Sequence, residues 1–504
     1  MQLRSLIGLQ ALLLTTSTAL AGPSMPQDFL LGTAIAGFQV EMGCRTIPAD
    51  ECEDRQSDWY EYVTSPWIRM DPGLFMKGDP TSFGPGFYES YADDLHRARN
   101  ELGSNAIRVS IEWSRVFPTS TVGVSGFDAL RQLASPAALS YYHNLLATIR
   151  AQGMTPFVTL NHYTLPLWIH SAVDCHVHLL HCDHQGWVDP QTIVPEIAKY
   201  AGFIAHEFGP EVDHWMTLNE PFSAVVLPSY LLPTPERTNP PGLYLRVDSA
   251  KLANATMIEA HARMYDAIKA EDKVSAVSGS KPAEVGIAYS FFAIKPASSK
   301  PMDLRVAANL KYLMHDQFMD AVTYGRFDPE WSGRTIYRPD LAAHLDFIGV
   351  NYYVRLTPPK LSLTSNSAVE LLLLANPIDA IFDRDAPDGL TQVLIEQSSY
   401  GLPIYITETG TDAAVDEDRP RRWLLGTLAA THAAIERGVD VRGYFYWTLM
   451  DNYEWNHGMA SRFGLYSIDP KDQEKLRAPR SAVSAFREIS ESRVWPSVTS
   501  ALAK

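Results

Sequence analysis

The sequence predicts an α/β fold, a single closed (β/α)8 barrel with extended loops after its strands. Short, nearly continuous apolar segments alternate along the chain with longer amphipathic segments, and eight such pairs occur. Strands that are buried on both faces of a parallel sheet have this continuous apolar character. Eight successive β-then-α units favour a closed barrel. A doubly wound open sheet is the alternative, and it is disfavoured because no glycine-rich phosphate-binding motif follows the first apolar segment.

The elements follow from these segments in order. The eight predicted strands are Phe29–Ile35, Ala106–Ile111, Thr155–Leu160, His214–Leu218, Val285–Ser290, Phe347–Asn351, Ile404–Thr407 and Val441–Trp447. Amphipathic helices are predicted between several of them, including Tyr88–Glu101, Ile193–Phe208 and Arg422–Arg437. No repeat and no low-complexity linker divides the chain, so we expect one barrel over residues 22–504.

The charge of the chain narrows the choice of partners. Of the 504 residues, 46% are hydrophobic and 20% are charged, which is ordinary for a folded globular protein. The formal net charge of −16 disfavours binding to nucleic acid or to an anionic membrane, because their phosphates would be repelled. We therefore expect neither partner.

The N-terminal 21 residues have the pattern of a secretory signal peptide. Arg4 provides a positive charge, Ser5–Leu14 is a largely apolar segment, and Ala19 and Ala21 are small residues suited to a cleavage site. The apolar segment is shorter than the ~20 residues that a transmembrane helix needs. A buried N-terminal helix is the alternative interpretation. We expect a mature chain that begins at Gly22 and is secreted, to the periplasm or outside the cell.

The four cysteines form two local pairs, Cys44 with Cys52 and Cys175 with Cys182. In an oxidising compartment this pattern indicates two disulfides. The histidines around the second pair could ligate zinc, but the spacing matches no zinc site and we expect no metal. Asn254-Ala255-Thr256 is a glycosylation sequon, relevant if the source is a eukaryote.

Polar residues close the predicted strands, where the chemistry of a (β/α)8 barrel is located. They are Gln39 and Glu41, Arg108, His162, Asn219 with Glu220, Asn351 with Tyr353, Glu408, and Glu454 with Trp455. Two carboxylates among them lie in distinctive motifs. The fourth strand ends in T-L-N-E-P at residues 217–221, and the seventh ends in Y-I-T-E-T-G at residues 405–410.

Around these motifs the chain resembles glycoside hydrolase family 1, the family of β-glucosidases, from Phe29 to about Ser481. The resemblance rests on a match at every expected βα loop. The further matches are Gln39 in Q-x-E, Arg108 in R-x-S-I-x-W-x-R, His162 in T-L-x-H-x-x-L-P, Asn351 and Tyr353 in N-Y-Y, Trp447, Glu454 and Trp455 in W-x-x-x-D-N-x-E-W, and residues 462–465 in R-F-G-L.

The resemblance implies a retaining mechanism, in which two carboxyl groups lie only ~5–5.5 Å apart. Glu220 would be the acid/base and Glu408 the nucleophile, with Arg108 as the counter-charge of Glu408 and Tyr353 holding one of its oxygens. No cofactor is expected. The substrate would be a small β-glycoside or an oligosaccharide.

Other residues are expected to bind the sugar, whose rim carries hydroxyls and whose face is apolar. These are Gln39, His162, Asn219, Asn351, Trp447, Glu454 and Trp455, with Trp447 stacking on the sugar face and Asn219 bonding its 2-hydroxyl. Phe222 either lines the side of the site that holds the leaving group, the aglycone, or is ordinary packing. For each polar residue the alternative is a strand end that meets solvent.

Two departures from the family pattern concern specificity. Tyr163 and Thr164 stand where the family has W-D in H-W-D-L-P, and Thr409 replaces the Asn of T-E-N-G.

Three alternative functions remain. A phospho-β-glycosidase is disfavoured because Glu454 would repel phosphate, and a thioglucosidase is disfavoured because residue 220 is Glu and not Gln. An inactive sugar-binding or co-receptor relative is disfavoured because both Glu220 and Glu408 are present. The sequence does not choose among glucoside, galactoside and fucoside.

Overall fold

The structure, a computed structural model, describes residues 22–277, 279–358 and 381–497, so the predicted signal peptide lies outside the described residues. Eight parallel strands close a barrel in sequential order, each pairing with its neighbours in the chain and the eighth with the first. They are β1 (Leu30–Ala34), β2 (Ala106–Ser110), β3 (Thr155–Asn161), β4 (His214–Asn219), β5 (Glu284–Ser290), β6 (Phe347–Asn351), β7 (Ile404–Thr409) and β8 (Val441–Trp447). The predicted fold is confirmed, and every predicted strand is present within two residues of its expected bounds.

A helix follows each barrel strand and packs outside it. In order, these helices are Phe87–His96, Pro136–Ala151, Pro190–Phe208, Val247–Glu271, Gln317–Tyr324, Gly389–Gln397, Arg419–Ile435 and Ser481–Ser492. Helix Pro136–Ala151 shows how the sequence starts one of them: the Ser135 hydroxyl accepts a hydrogen bond from the Ala138 amide, and Pro136 occupies the first helical position. The three predicted amphipathic helices are confirmed, although residues 97–101 continue the first of them as a π-helix.

Long loops after the strands carry shorter elements. The short α-helices are Gly37–Glu41, Ala49–Cys52, Asp58–Thr64, Pro66–Met70, Trp113–Val116, Phe127–Leu133, Ala172–Val177 and Pro301–Lys311, and two further π-helices are Pro221–Leu231 and Tyr312–Asp316. A small sheet combines Ala293–Ile294, Arg355–Thr357 and Ile381–Asp383, and two-stranded pairs join Arg326–Phe327 to Ile336–Tyr337 and Tyr466–Ser467 to Ala478–Pro479.

Apolar side chains fill the barrel and leave its C-terminal end for polar groups. Phe157, Met216, Phe347, Tyr405 and Phe445 are buried together inside the barrel, as expected for a packed interior. A larger cluster packs between the strands and the surrounding helices. The barrel therefore forms a rigid base for the side chains at its upper rim.

Both predicted disulfides are present, Cys44–Cys52 in the loop after β1 and Cys175–Cys182 in the loop after β3. The sulfurs of the second pair are bonded to each other, so they cannot serve as thiolate ligands for zinc. Within the described residues, no helix has the length and apolar character needed to cross a bilayer.

The predicted glycosylation at Asn254 is wrong for the folded protein. Asn254 lies inside helix Val247–Glu271 with 1% of its surface exposed, and its Nδ2 donates to Gln317 Oε1 at 2.9 Å. A glycan needs an asparagine amide at the surface. The side chain instead links two helices of the outer layer.

Candidate active site

The C-terminal ends of the barrel strands open into a cavity of about 1330 Å³. Seven of the predicted sugar-site and catalytic residues line it together with Tyr353: Gln39, His162, Glu220, Glu408, Trp447, Glu454 and Trp455. The lining also includes apolar side chains, among them Leu227, Leu231, Leu310, Met314 and Trp331. A cavity of this size with both polar and apolar lining suits a sugar that carries a larger leaving group.

Glu220 follows β4 directly and is held in an unusual backbone conformation. Its φ of 44° lies in the left-handed region, where non-glycine residues are uncommon and often functional. The Glu220 amide donates to the Ala288 carbonyl at 2.8 Å, and Glu220 Oε1 accepts from Asn351 Nδ2 at 2.9 Å. Burial, together with the negative charge of Glu408, raises the pKa of Glu220 to about 7. A carboxyl group with this pKa can hold a proton near neutral pH.

Glu408 lies on β7 and is surrounded by donors. Arg108 Nη1 forms a buried ion pair with Glu408 Oε1, and the Tyr353 hydroxyl donates to Oε2 at 2.7 Å. Arg108 is itself fixed, because its Nε donates to Thr159 Oγ1 at 2.9 Å. The Arg108 guanidinium and the Tyr353 hydroxyl therefore hold both oxygens of Glu408 in place. The predicted support of Glu408 by Arg108 and Tyr353 is thus present in the structure.

Asn219 and Asn351 connect the two carboxylates through one buried network. Asn219 Oδ1 accepts from Arg108 Nη2 at 2.8 Å and from Asn351 Nδ2 at 3.1 Å. Asn351 Oδ1 accepts from Thr407 Oγ1 at 2.7 Å. Asn351 was predicted to bind sugar, but the protein already uses both ends of its amide. Its position makes it a residue that orients Glu220.

Tyr163 is a site residue that the sequence flagged only as a departure from the family pattern. Asn219 Nδ2 donates to the Tyr163 hydroxyl at 2.9 Å and lies 3.2 Å from His162 Nε2. Tyr163 and His162 line the cavity, whereas Asn219 lies fully buried behind them. Asn219 is therefore linked to the cavity through the Tyr163 hydroxyl, and its contact with the 2-hydroxyl of a sugar stays a prediction.

The remaining predicted clamp residues form an aromatic and polar wall. Gln39 Nε2 donates to Glu454 Oε2 at 2.8 Å. The His162 ring lies nearly parallel to the rings of Trp447 and Trp455, with centroids 5.6 Å and 6.0 Å away. Burial, assisted by the charge of Arg108, keeps the pKa of His162 well below its usual value, so the imidazole is neutral. Such a wall offers hydrogen bonds to a sugar rim and ring faces to its C–H groups.

Phe222 is not among the residues that line the cavity, so of its two predicted roles the structure favours ordinary packing over contact with the aglycone. Its side chain is fully buried and packs edge-to-face on Trp331, with ring centroids 5.4 Å apart. Trp331 is the residue of this pair that reaches the cavity wall. Thr409 also points away from the cavity, since its Oγ1 accepts from Trp423 Nε1 at 2.9 Å on an outer helix.

Arg237 lines the cavity too, and sequence inspection did not single it out. It belongs to the loop after π-helix Pro221–Leu231, where no motif marks it. Its Nη2 lies 3.4 Å from Glu454 Oε1. The only signal in the sequence is an isolated arginine in a proline-rich loop.

This barrel, with two buried carboxylates at the ends of β4 and β7 that line one cavity, defines an enzyme of the glycoside-hydrolysing class. Residues 22–494 match the family model described as glycosyl hydrolase family 1, and the chain belongs to that family. It is 35% identical to a β-galactosidase of Pyrococcus woesei, over 92% of this chain and 96% of the relative. It is 29% identical to β-glucosidase 16 of Arabidopsis thaliana, over 94% and 93% of the two chains. The crystal structure of a β-glycosidase from Thermosphaera aggregans superposes with a TM-score of 0.81 at 29% identity, covering 94% and 98% of the chains.

Proposed function

We propose that this protein is a retaining β-glycosidase of the β-glucosidase type. It would release terminal β-D-glucosyl residues, and also galactosyl or fucosyl residues, from small glycosides or oligosaccharides. The observation that carries the proposal is the contrast between two neighbouring carboxyl groups. Burial and the charge of Glu408 raise the pKa of Glu220 to about 7, whereas Glu408 is held by Arg108 and Tyr353. Such a contrast identifies the acid and the nucleophile of a glycosidase.

In the first step Glu220 donates its proton to the glycosidic oxygen while a Glu408 oxygen attacks the anomeric carbon. The carbon–oxygen bond breaks, the aglycone leaves as an alcohol, and the sugar becomes an ester of Glu408. The attacking carboxylate loses its negative charge in this step. Because that charge is one cause of the raised pKa of Glu220, its loss favours ionisation of Glu220.

In the second step ionised Glu220 removes a proton from water, and the water oxygen attacks the anomeric carbon. The ester bond to Glu408 breaks, and the sugar leaves with its original configuration because two displacements have occurred at one carbon. Glu220 is protonated again and Glu408 is ionised again. The cycle uses only these two residues and one water molecule.

The names of the similar proteins support a proposed preference that includes more than one sugar. The Pyrococcus relative is named a β-galactosidase and the Arabidopsis relative a β-glucosidase. The competing function is a sugar-binding protein without activity, which the complete carboxylate pair disfavours. Release of p-nitrophenol from β-glucoside, β-galactoside and β-fucoside, with proton NMR of the first-formed anomer, tests the proposal. No release from any of the three, or an α-anomer first, would contradict it.

We also propose that the protein is exported after removal of residues 1–21. The signal-like N-terminus and the two local disulfides support this, since disulfides persist mainly in oxidising compartments. N-terminal sequencing of protein recovered outside the cytoplasm should begin at Gly22. A retained Met1 in the exported protein, or exclusive recovery from the cytoplasm, would contradict the proposal.

A further inference from the structure

The loop that carries Arg237 is fastened to the segment that carries Glu454. Asn456 makes two of the connections: its Oδ1 accepts from the Thr238 amide at 3.3 Å, and its Nδ2 donates to the Pro235 carbonyl at 3.3 Å. His457 Nε2 lies 3.0 Å from the Glu236 carbonyl. These bonds on both sides of Arg237 hold its guanidinium beside the predicted sugar clamp.

The guanidinium is placed over aromatic rings and has donor capacity to spare. Its carbon lies 5.6 Å from the ring centre of Tyr163 and 5.9 Å from that of Trp455, within the range of cation–π attraction. Arg237 Nη2 reaches Glu454 Oε1 only at a long 3.4 Å, and Nη1 has no hydrogen-bond partner among the described residues. With three-quarters of its side chain buried, this cation is only partly satisfied by the protein.

A second cation lines the cavity close to the segment that carries Glu454. The Lys77 amide donates to the Asn456 carbonyl at 2.9 Å, which places a second, exposed cation at the same wall of the cavity. Lys77 has no ion pair within the part of the chain that the structure describes. Glu236 is already paired with Arg384 at 2.8 Å. Arg237 is therefore the cation that lies directly beside Glu454, and Lys77 adds a further positive charge to the lining of the same cavity.

We propose that Arg237 is a specificity-determining residue that lets the sugar site accept a β-linked uronic acid, a glycone with a carboxylate on its rim. Glu454 alone would repel such a carboxylate. Arg237 offsets that repulsion and offers the planar pair of donors that suits a carboxylate. The inference rests on the proposed function, because the uronide is cleaved by Glu220 and Glu408 through the same two steps.

The test compares two substrates that differ only at this carboxylate, p-nitrophenyl β-D-glucuronide and p-nitrophenyl β-D-glucoside. The measured quantity is the ratio of their kcat/KM values. A charge-assisted hydrogen bond corresponds to roughly a tenfold to hundredfold effect, so Arg237→Met should lower the glucuronide-to-glucoside ratio by that factor. Arg237→Lys keeps the charge and should retain most of the ratio. A general loss of folding would instead lower both substrates together.

Arg487→Met is the control, since Arg487 is an exposed arginine on the outer helix Ser481–Ser492, where it pairs with Glu491. It should leave the ratio unchanged. A wild-type enzyme that cleaves the glucoside but not the glucuronide would overturn the inference while leaving the proposed function intact. An unchanged ratio in Arg237→Met would also overturn it. Failure to cleave either substrate would contradict the proposed function itself.

Discussion

The Tyr163 hydroxyl accepts a hydrogen bond from Asn219 Nδ2 at 2.9 Å, at the base of the catalytic cavity. Asn219 is otherwise held through its Oδ1 by Arg108 and Asn351. The bond leaves the phenolic proton of Tyr163 free to be donated into the cavity. Tyr163 therefore links the buried Asn219 to the cavity, and we predict that its hydroxyl donates to the 2-hydroxyl of the sugar.

Tyr163→Phe should lower kcat/KM for β-glucosides about fivefold to tenfold, the value of one hydrogen bond of ~1 kcal/mol. It should also reduce the preference for a glucoside over its 2-deoxy analogue, because the lost proton bonds the 2-hydroxyl. Steady-state kinetics with the two aryl glycosides measure this. Tyr400→Phe, which removes a hydroxyl bonded to Asp320 on the outer layer, is the control. Equal discrimination by wild type and Tyr163→Phe would exclude the contact.

Glu220→Gln should impair cleavage of alkyl glycosides much more than cleavage of activated aryl glycosides. Alkyl leaving groups need a proton, and general acid catalysis contributes roughly 10²–10⁴ in rate. Added azide should restore turnover of the aryl substrate, because an anion needs no base to attack the glycosyl-enzyme. Single-turnover measurement of the first step separates the effects. An equal loss for both substrate types would mean that Glu220 is not the proton donor.

The pH profile should report the raised pKa of Glu220. The first step requires the protonated acid, so kcat/KM should fall as the pH rises through about 7. The bond from Asn351 stabilises the ionised form of Glu220 and lowers its pKa. Asn351→Ala should therefore move the alkaline limb to higher pH, whereas substitution of the exposed Asn100 should not move it. A shift toward lower pH would contradict this role of Asn351.

A second buried carboxyl group should make stability depend on pH. Burial, with the charge of Glu41, raises the pKa of Glu112 to about 7 from its ordinary 4.5. The folded state then binds one more proton than the unfolded state between these values. The free energy of unfolding should decrease by roughly 3 kcal/mol from this group as the pH rises from about 4.5 to 7.

Glu112→Gln should remove this contribution. The denaturant midpoint of the variant, measured relative to that of the wild type, should therefore be higher at pH 8 than at pH 5. Glu89→Gln is the control, because hydrogen bonds lower the pKa of Glu89 to about 2 despite partial burial. Its effect should be the same at both pH values. A pH-independent difference between Glu112→Gln and wild type would show that Glu112 titrates normally in the folded protein.

The fold and the proposed catalytic pair could be predicted from the sequence because local patterns determine them. Continuous apolar segments such as Phe347–Asn351 mark buried parallel strands, and Glu220 and Glu408 stand in motifs at the ends of two strands. Both disulfides follow from close spacing. These features can be predicted without knowing which distant segments of the chain contact each other.

The other features depend on packing between distant segments. Arg237 meets Glu454 only because Asn456 and His457 bind its loop, and no spacing in the sequence indicates those bonds. Phe222 is buried by Trp331, which lies more than a hundred residues away in the chain. Asn254 could have been excluded, because helical spacing places it on the same face as Ala250 and Ile258, which are both buried.

The most direct test of the account is the identity of the covalently labelled residue. A 2-deoxy-2-fluoro-β-glucoside with a good leaving group should slow both steps, the second more in practice, and trap the glycosyl-enzyme. Mass mapping of the trapped protein should find the fluorosugar on Glu408, and Glu408→Ala should neither label nor turn over while remaining folded. Attachment of the fluorosugar to any other carboxylate would contradict the assignment of Glu408 as the nucleophile. The assignment would also be contradicted if the enzyme hydrolysed the parent glucoside but was not labelled by the fluorosugar at all.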